Sequence, residues 1–503
     1  MRVLGHAFAF VIVGSGAAAF GAEFEPPKSP QELEKQILAG DAVLFEQGFN
    51  RCDLGALRNI MHPDVVMIHD QSGTNRGIED FIRPVKQNIC NGSPKKPLRT
   101  LDPGTTKIFP LYNNGKLYGA LQSGKHSFFI KEGKNEPYLT NRARFFTEWR
   151  LTTSGWKMKT AYSFQHMNPT ENPEMDADVL DGGFDGYGTT RFMLDAHKVR
   201  GQAVAILRRG KVTEVRAFGD RSATEPVAVD TRFNVASLAK PVTALTVLRL
   251  VSAGQWDLDE PLARYYVDPE LRSVPAARRV TARHVLTHSS GLPNWRYLTE
   301  DKKLTFLHPP GQRFEYSGEG FEWLRRAMEK KTGQTLEALA RQWVFTPAGM
   351  TSTSYLFPKR GENRLSDRFD AEGKAIPVKA HTQANGAANL ITSAGDYGRF
   401  LAYIAAGAGL NRKLYREMVA PQIKQSDSMD FGLGWSVLSL PGGSVLQHSG
   451  ADPGVRSLAL LWPGSGNGLV ILANSDGAIP TWQPIITELF GQEGWALLEA
   501  NGR

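Results

Sequence analysis

Cysteine is nearly absent from this chain, with 2 in 503 residues, which excludes a disulfide-stapled miniprotein. A hydrophobic fraction of 41% likewise excludes a collagen-like fibre or a disordered solvating chain, because apolar side chain is plentiful enough to build large cores. A basic stripe is also missing. Lys+Arg number 59 against 51 Asp+Glu, a formal net charge of +8, but the cations stand singly or in pairs such as Lys95–Lys96, Arg208–Arg209 and Arg278–Arg279. They read as solvated faces without interleaved aromatics, so nucleic acid is not an expected partner. Neither a G-x-S-x-G elbow nor a P-loop occurs, which removes support for an α/β-hydrolase sheet and for nucleotide use. His284 and His288 have the four-residue spacing of a zinc pair, yet Val285 holds the place of the metalloprotease Glu and no third ligand is evident. We therefore expect no metal and no organic cofactor.

Long apolar runs are confined to the N-terminus. Arg2 precedes the run from Val3 to Phe20, which ends in Ala17-Ala18-Ala19 or Gly21-Ala22 before Glu23-Phe24-Glu25. That order predicts a secretory signal peptide over residues 1–22. Gly14, Ser15 and Gly16 interrupt the run and no basic stop-transfer cluster follows, so a stable membrane span is not expected. The expected location is secreted or periplasmic. In such a compartment Cys52 and Cys90 either pair or remain two buried thiols.

The length suggests two or three domains at roughly 150 residues each. Ser29-Pro30-Gln31-Glu32 sets a Ser cap, an N1 proline and a Glu three residues after the cap, predicting a helix to about Phe49. A short helix over Leu54–Met61 and strands at Val65–Ile68, Leu117–Leu121 and His126–Ile130 follow. Ala143, Phe145, Thr147 and Trp149 then alternate, and Trp156, Met158, Thr160, Tyr162 and Phe164 do the same after a turn at Ser154-Gly155. Two helices and then a curved antiparallel sheet make an α+β pattern. Residues 168–190 carry six acids and no Lys or Arg, which reads as an acidic linker. Beyond it we expect a helix near Phe192–Lys198 and a hairpin of Ala203–Leu207 with Val212–Phe218. Strands at Ser444–His448, Ser457–Trp462 and Gly468–Asn474 and a closing helix near Pro484–Phe490 complete one antiparallel sheet built from both ends of the segment.

The sharpest chemical signal is Ser237-Leu238-Ala239-Lys240, opening an apolar segment from Pro241 to Val251. A Ser and a Lys three apart on a helix share a face, so the amine can reach the hydroxyl. The positive end of the helix dipole favours an alkoxide there. A Lys against a buried wall has reason to lose its charge and act as a base. Ser activated by Lys is a nucleophile arrangement of acyl-transfer enzymes.

Four motifs stand in one order: Phe233–Pro241 around the pair, Val285-Leu286-Thr287-His288-Ser289-Ser290-Gly291-Leu292-Pro293, then Phe314-Glu315-Tyr316-Ser317-Gly318, and His448-Ser449-Gly450. Together they resemble the serine beta-lactamase-related family of class C beta-lactamases, DD-peptidases and esterases, over about residues 191–503. The resemblance implies an antiparallel sheet flanked by helices plus an all-helical region. It also implies Ser237 as nucleophile, Lys240 as its partner and Tyr316 as proton shuttle, a phenolate beside a cationic Lys acting as general base. The N–H groups of Ser237 and Ala451 would form the oxyanion hole, and His448, Ser449 and Gly450 the substrate edge. His288 becomes a structural turn residue. Residues 23–167, with Gly155-Trp156-Lys157-Met158 leading to Tyr162-Ser163-Phe164-Gln165-His166, resemble the cone-shaped NTF2-like (SnoaL/DUF4440-type) fold. His69, Asp70, Tyr118 and His166 either line a pocket there or are ordinary strand-end polar residues. That fold also permits a homodimer.

This chain departs from the family at Gly318, where relatives carry an Asn that contacts the substrate's acylamide. His448 also replaces Lys and is only partly charged at neutral pH. Both changes favour esters, or a peptide or lactone, over penicillins. Arg456 could supply the missing positive charge or be a solvated strand residue. Trp295 and Tyr297 either overhang the cleft as substrate contacts or pack. The expected substrate is a small molecule or peptide; the rival expectation is a catalytically weak, penicillin-binding-like protein of the cell envelope.

Overall fold

Two sheets organise the chain in the computed structural model, which describes residues 24–69, 71–113, 116–167, 190, 193–195, 197–357, 364–378, 380–440 and 443–501. The expected signal peptide, Asp70, Phe192 and nearly all of 168–190 lie outside those residues. Helix Pro30–Ala42 starts as its cap predicts, with Ser29 Oγ accepting from the Glu32 N–H, and passes into π-helical turns over Val43–Asn50. Helix Leu54–Ile60 follows, and Cys52 is joined to Cys90 by a disulfide with Cα atoms 5.7 Å apart.

The first sheet has seven strands: β1 (Met61–His69), β2 (Gly73–Arg76), β3 (Lys95–Leu101), β4 (Lys107–Asn113), β5 (Lys116–Glu132), β6 (Tyr138–Thr152) and β7 (Gly155–Met167). Two expectations are corrected. The runs at Leu117–Leu121 and His126–Ile130 are one 17-residue strand, β5, held by pairing to β6 along its length. The sheet is also not wholly antiparallel, since β1 runs parallel to β7. Ala143, Phe145, Thr147 and Trp149 are buried as their alternation predicts, but Phe146 and Glu148 on the opposite face are buried too. The reason is tertiary: Phe146 packs with Phe109, Leu111, Leu121 and Met193 in a second cluster, and helix Trp482–Ala500 crosses β4. There Gln483 donates to the Tyr112 carbonyl at 2.8 Å and accepts from its N–H at 2.7 Å.

The second sheet is antiparallel and eight-stranded, assembled from both ends of its segment. Its order runs Ile423–Lys424, Asp430–Phe431, Ser436–Leu440, Gly443–Asp452, Val455–Trp462, Asn467–Ala473, β8 (Gly201–Arg208) and β9 (Lys211–Gly219). Residues 201–207 of β8 are all buried because its two faces serve different cores. Ala203, Ala205 and Leu207 meet the helical side, while Val204 and Ile206 meet the closing helix. On the helical side lies helix Ala239–Ser252, buried from Ala239 through Leu248. This central helix holds one end of the site.

Candidate active site

Ser237 stands in a 3-10 turn, Ala236–Leu238, that runs directly into the central helix. The chain enters it through Ala236 at φ +46°, a left-handed conformation that costs a residue with a Cβ about 1–2 kcal/mol. Neighbours hold it there: Asn234 Oδ1 accepts the Ala236 N–H at 2.9 Å, and the Leu390 carbonyl accepts that of Val235 at 3.1 Å. Three residues beyond Ser237, Lys240 Nζ donates to Ser237 Oγ at 3.0 Å and to the Ala387 carbonyl at 2.9 Å. Lys240 is 1% exposed. Burial pulls its pKa down to about 7, with only the charge of Asp452 resisting. A hydroxyl and a carbonyl cannot compensate a buried ammonium as a carboxylate would.

Tyr316 places its ring 4.7 Å from Lys240 Nζ and shares a hydrogen bond with Ser237. His288 stacks on that ring, centroids 4.2 Å apart and planes at 28°. His288 sits at φ +52° and accepts the Ser317 N–H on Nδ1 at 3.0 Å, so it props Tyr316 and fixes the turn that carries it. His284 does something separate, closing a capping box with Thr281 at the start of helix Ala282–Leu286. Burial lifts the Tyr316 phenol above its ordinary value, against the pull of the Ser237 hydrogen bond. Burial thus favours the neutral phenol over the expected phenolate, and brings the titration of the amine near neutrality.

The third wall is strand Gly443–Asp452. Its pairing to Ser436–Leu440 ends at Gln447, so from His448 onward one edge has no strand partner among the described residues. That edge lies on the Ser237 turn. A Cβ added at Gly450 would meet the Val235 carbonyl oxygen at 2.3 Å and the Ser237 nitrogen at 3.1 Å, so only glycine allows this approach. Ser449 and Ala451 on either side are exposed. His448 Nδ1 donates to the Ser449 carbonyl at 2.8 Å, which leaves Nε2 as a lone-pair acceptor without a partner among the described residues. Burial, and then the Lys240 charge, bring its pKa down to about 3. His448 is thus neutral at pH 7, where partial charge was expected. Arg456 is not a free cation either: it is ion-paired with Asp476 at 2.9 Å and donates to the Asp452 and Val455 carbonyls. Asp452, absent from the sequence-based candidates, follows Ala451 directly and is felt electrostatically by Lys240. Its adjacency to the third motif was the one available signal; the Ala387 carbonyl, being backbone, offered none.

Gly318 opens helix Gly318–Thr332 behind the cap of Ser317, whose Oγ accepts the Gly320 N–H at 2.9 Å. A Cβ added there would lie 2.6 Å from Trp295 Cζ2. The indole occupies the volume into which a side chain at 318 would grow. Ser237, Lys240, Tyr316, His448 and Gly450 are therefore brought together, with Ser449 and Ala451 flanking Gly450 on its strand and Gly318 and Trp295 packed two residues beyond Tyr316. The N-terminal candidates lie elsewhere. His69 and His166 stack at 4.2 Å, with His166 linked through Ser163 and His126 to the buried Arg99–Asp41 ion pair. Tyr118 packs instead against the cluster around Phe109, under the Arg150 guanidinium.

A family model described as Beta-lactamase matches residues 147–488, from within β6 to the closing helix. Penicillin-binding protein 4* of Bacillus subtilis (strain 168) is 25% identical over 344 residues, which cover 59% of this chain and 74% of that protein. Esterase EstB of Burkholderia gladioli is 31% identical over 192 residues, 32% of this chain and about half, 49%, of the esterase. Among solved structures, the D-alanine carboxypeptidase AmpC from Burkholderia cenocepacia superposes with a TM-score of 0.53 at 21% identity, covering 61% of this chain and 99% of that one; at that identity the likeness is one of fold. With the family model spanning more than half of the sequence and all four motifs inside it, the chain belongs to the beta-lactamase family.

Proposed function

We propose that the protein is an exported serine hydrolase that forms an acyl-enzyme on Ser237, with esters as its preferred substrates. The observation that carries this reading is the 3.0 Å contact between Ser237 Oγ and a buried Lys240 amine whose pKa is about 7. Neutral Lys240 takes the hydroxyl proton as Oγ bonds to the carbonyl carbon, and the carbonyl π electrons move onto oxygen. The N–H groups of Ser237 and Ala451 receive that oxyanion. On collapse the bond to the leaving oxygen breaks, and the proton held by Lys240 passes through the Tyr316 hydroxyl to the departing alkoxide. Water repeats the sequence on the acyl-enzyme and restores Ser237. The neutral His448 and the committed Arg456 support esters over carboxylate-bearing lactams, since neither offers a free cation.

The likeness to penicillin-binding proteins supports the rival reading of a weak acylating binder. To separate the two, the pure protein and Ser237→Ala are incubated with a fluorophosphonate, a fluorescent penicillin and p-nitrophenyl esters. Labelling and ester turnover that vanish in the variant support the hydrolase. Absence of both in the wild type refutes it.

Residues 1–22 form the export signal in this proposal, 23–167 an NTF2-like domain capable of homodimerisation, 168–190 a linker and 191–503 the hydrolase domain. Two helices leading into the seven-stranded sheet support the NTF2-like part, and the Cys52–Cys90 disulfide supports export.

A further inference from the structure

We infer that Trp295 and Tyr297 form a stacking shelf for a planar apolar group of the ester substrate, an assignment that rests on the serine-hydrolase reading of this site. The two rings are themselves stacked, centroids 5.9 Å apart and planes at 12°. Trp295 is partly buried against Gly318, two residues from the Tyr316 ring that faces Lys240. Tyr297 is 62% exposed, so its ring is open to a partner from solvent. Its phenol and the Lys240 amine both feel the charge of Asp452, the residue that follows Ala451 on the site strand.

The shelf is rigid. Between the two rings, Arg296 is ion-paired with Asp268 at 2.8 Å, Glu319 at 2.9 Å and Glu270 at 3.2 Å. Its own N–H donates to Glu319 Oε1 at 3.0 Å, while the Gly318 N–H donates to the Asn294 carbonyl at 3.0 Å. The segment is thereby locked to the first turn of the helix that follows Tyr316. Holding two aromatic faces in one orientation before substrate arrives removes the ordering cost of binding a flat partner. A side chain able to hydrogen-bond an amide at position 318 and an indole at 295 are mutually exclusive occupants of one volume. This chain has the indole, so the recognised feature is a π-face rather than an amide.

The experiment follows hydrolysis of methyl acetate, methyl phenylacetate and benzyl acetate by the full chain in a pH-stat, so that the arene sits in neither half, the acyl half or the alcohol half. In one of the two halves the arene should raise kcat/KM about tenfold, mainly through KM. Trp295→Ala should abolish that gain and Trp295→Phe should keep part of it. Tyr297→Ala, at an exposed position that puts the fold at little risk, should reduce it. The assignment is overturned if the arene brings no gain in either half, or if the gain survives in both alanine variants. Turnover of all three esters at one common rate would sink the shelf while leaving the hydrolase intact. No turnover together with no fluorophosphonate label on Ser237 would remove the hydrolase reading, and the shelf with it.

Discussion

Gly450 and Ser237 sit so close that the missing side chain of one defines the position of the other: a Cβ on Gly450 would stand 3.1 Å from the Ser237 nitrogen and 2.4 Å from Ser457 Oγ. Since the same Ser457 hydroxyl donates to the Val235 carbonyl at 2.8 Å, strand and turn are fastened together at this point. Gly450→Ala must push the strand off the turn and spread the two proposed oxyanion donors. We expect kcat to fall by about 10²–10³-fold, the loss of one such donor, while the protein stays folded by circular dichroism. A near-normal kcat would contradict the arrangement.

Lys240 sets a pH dependence of rate and another of stability. Acylation should increase as pH rises through about 7, as the buried amine loses its proton. Stability should respond at higher pH. Between about 7 and the ordinary value of 10.5 the unfolded chain holds a proton that the folded chain does not, so this residue makes stability rise with pH across that window. Below 7 both states are protonated and the whole burial penalty remains. Lys240→Met should remove the ascending limb from a stopped-flow acylation profile and the corresponding rise from urea midpoints.

His448 acts on a lower window by the same logic. Its pKa falls from 6.5 to about 3 on folding, so the unfolded chain takes up the extra proton as pH drops through that range and stability is lost. His448→Gln should flatten this part of the acid-unfolding curve. An unchanged curve would mean the imidazole is not held neutral.

Tyr316→Phe keeps the ring that stacks on His288 and removes only the hydroxyl shared with Ser237. Acyl transfer should slow by about 10²–10⁴-fold, the usual worth of a positioned proton donor, with little change in Tm. His288→Leu should do the converse: the Ser317 N–H loses its acceptor and a branched side chain is forced to φ +52°. A loss of about 2–4 kcal/mol in denaturant unfolding is expected.

Gly318→Asn, which introduces the residue the family resemblance implies at this position, should fail by itself because its Cβ meets the indole at 2.6 Å. Combined with Trp295→Gly it should recover folding and raise amide relative to ester turnover. A well-folded, active Gly318→Asn single variant would show that the indole yields easily.

The legible part of the site was the part set by local geometry. Ser237 and Lys240 meet because three residues span nearly one helical turn, and the buried surroundings of the amine follow from an apolar run that leaves the helix no solvent face. The halves of β5 were separable on paper because polar residues from Gln122 to Lys125 interrupt the apolar pattern; in the fold Gln122 instead hydrogen-bonds inside a buried network with Trp149 and Asp41. The parallel partner of β1 was out of reach, since β7 lies some ninety residues away and alternation carries no strand direction. Arg456 was a fair candidate cation until Asp476, brought alongside by the chain's return, took up its charge.

The order of residues alone determined that Ser237 and Lys240 meet, the motif sequence and the rule that both ends of the second segment build one sheet, because helical periodicity and strand alternation act over a few positions. Folding decided the protonation states and the shape of the cleft. Whether an amine, a phenol or an imidazole carries charge depends on what surrounds it in three dimensions, and whether position 318 can hold a side chain depends on where an indole 23 positions earlier comes to rest. Both are properties of desolvation and excluded volume, which exist only once distant segments have met.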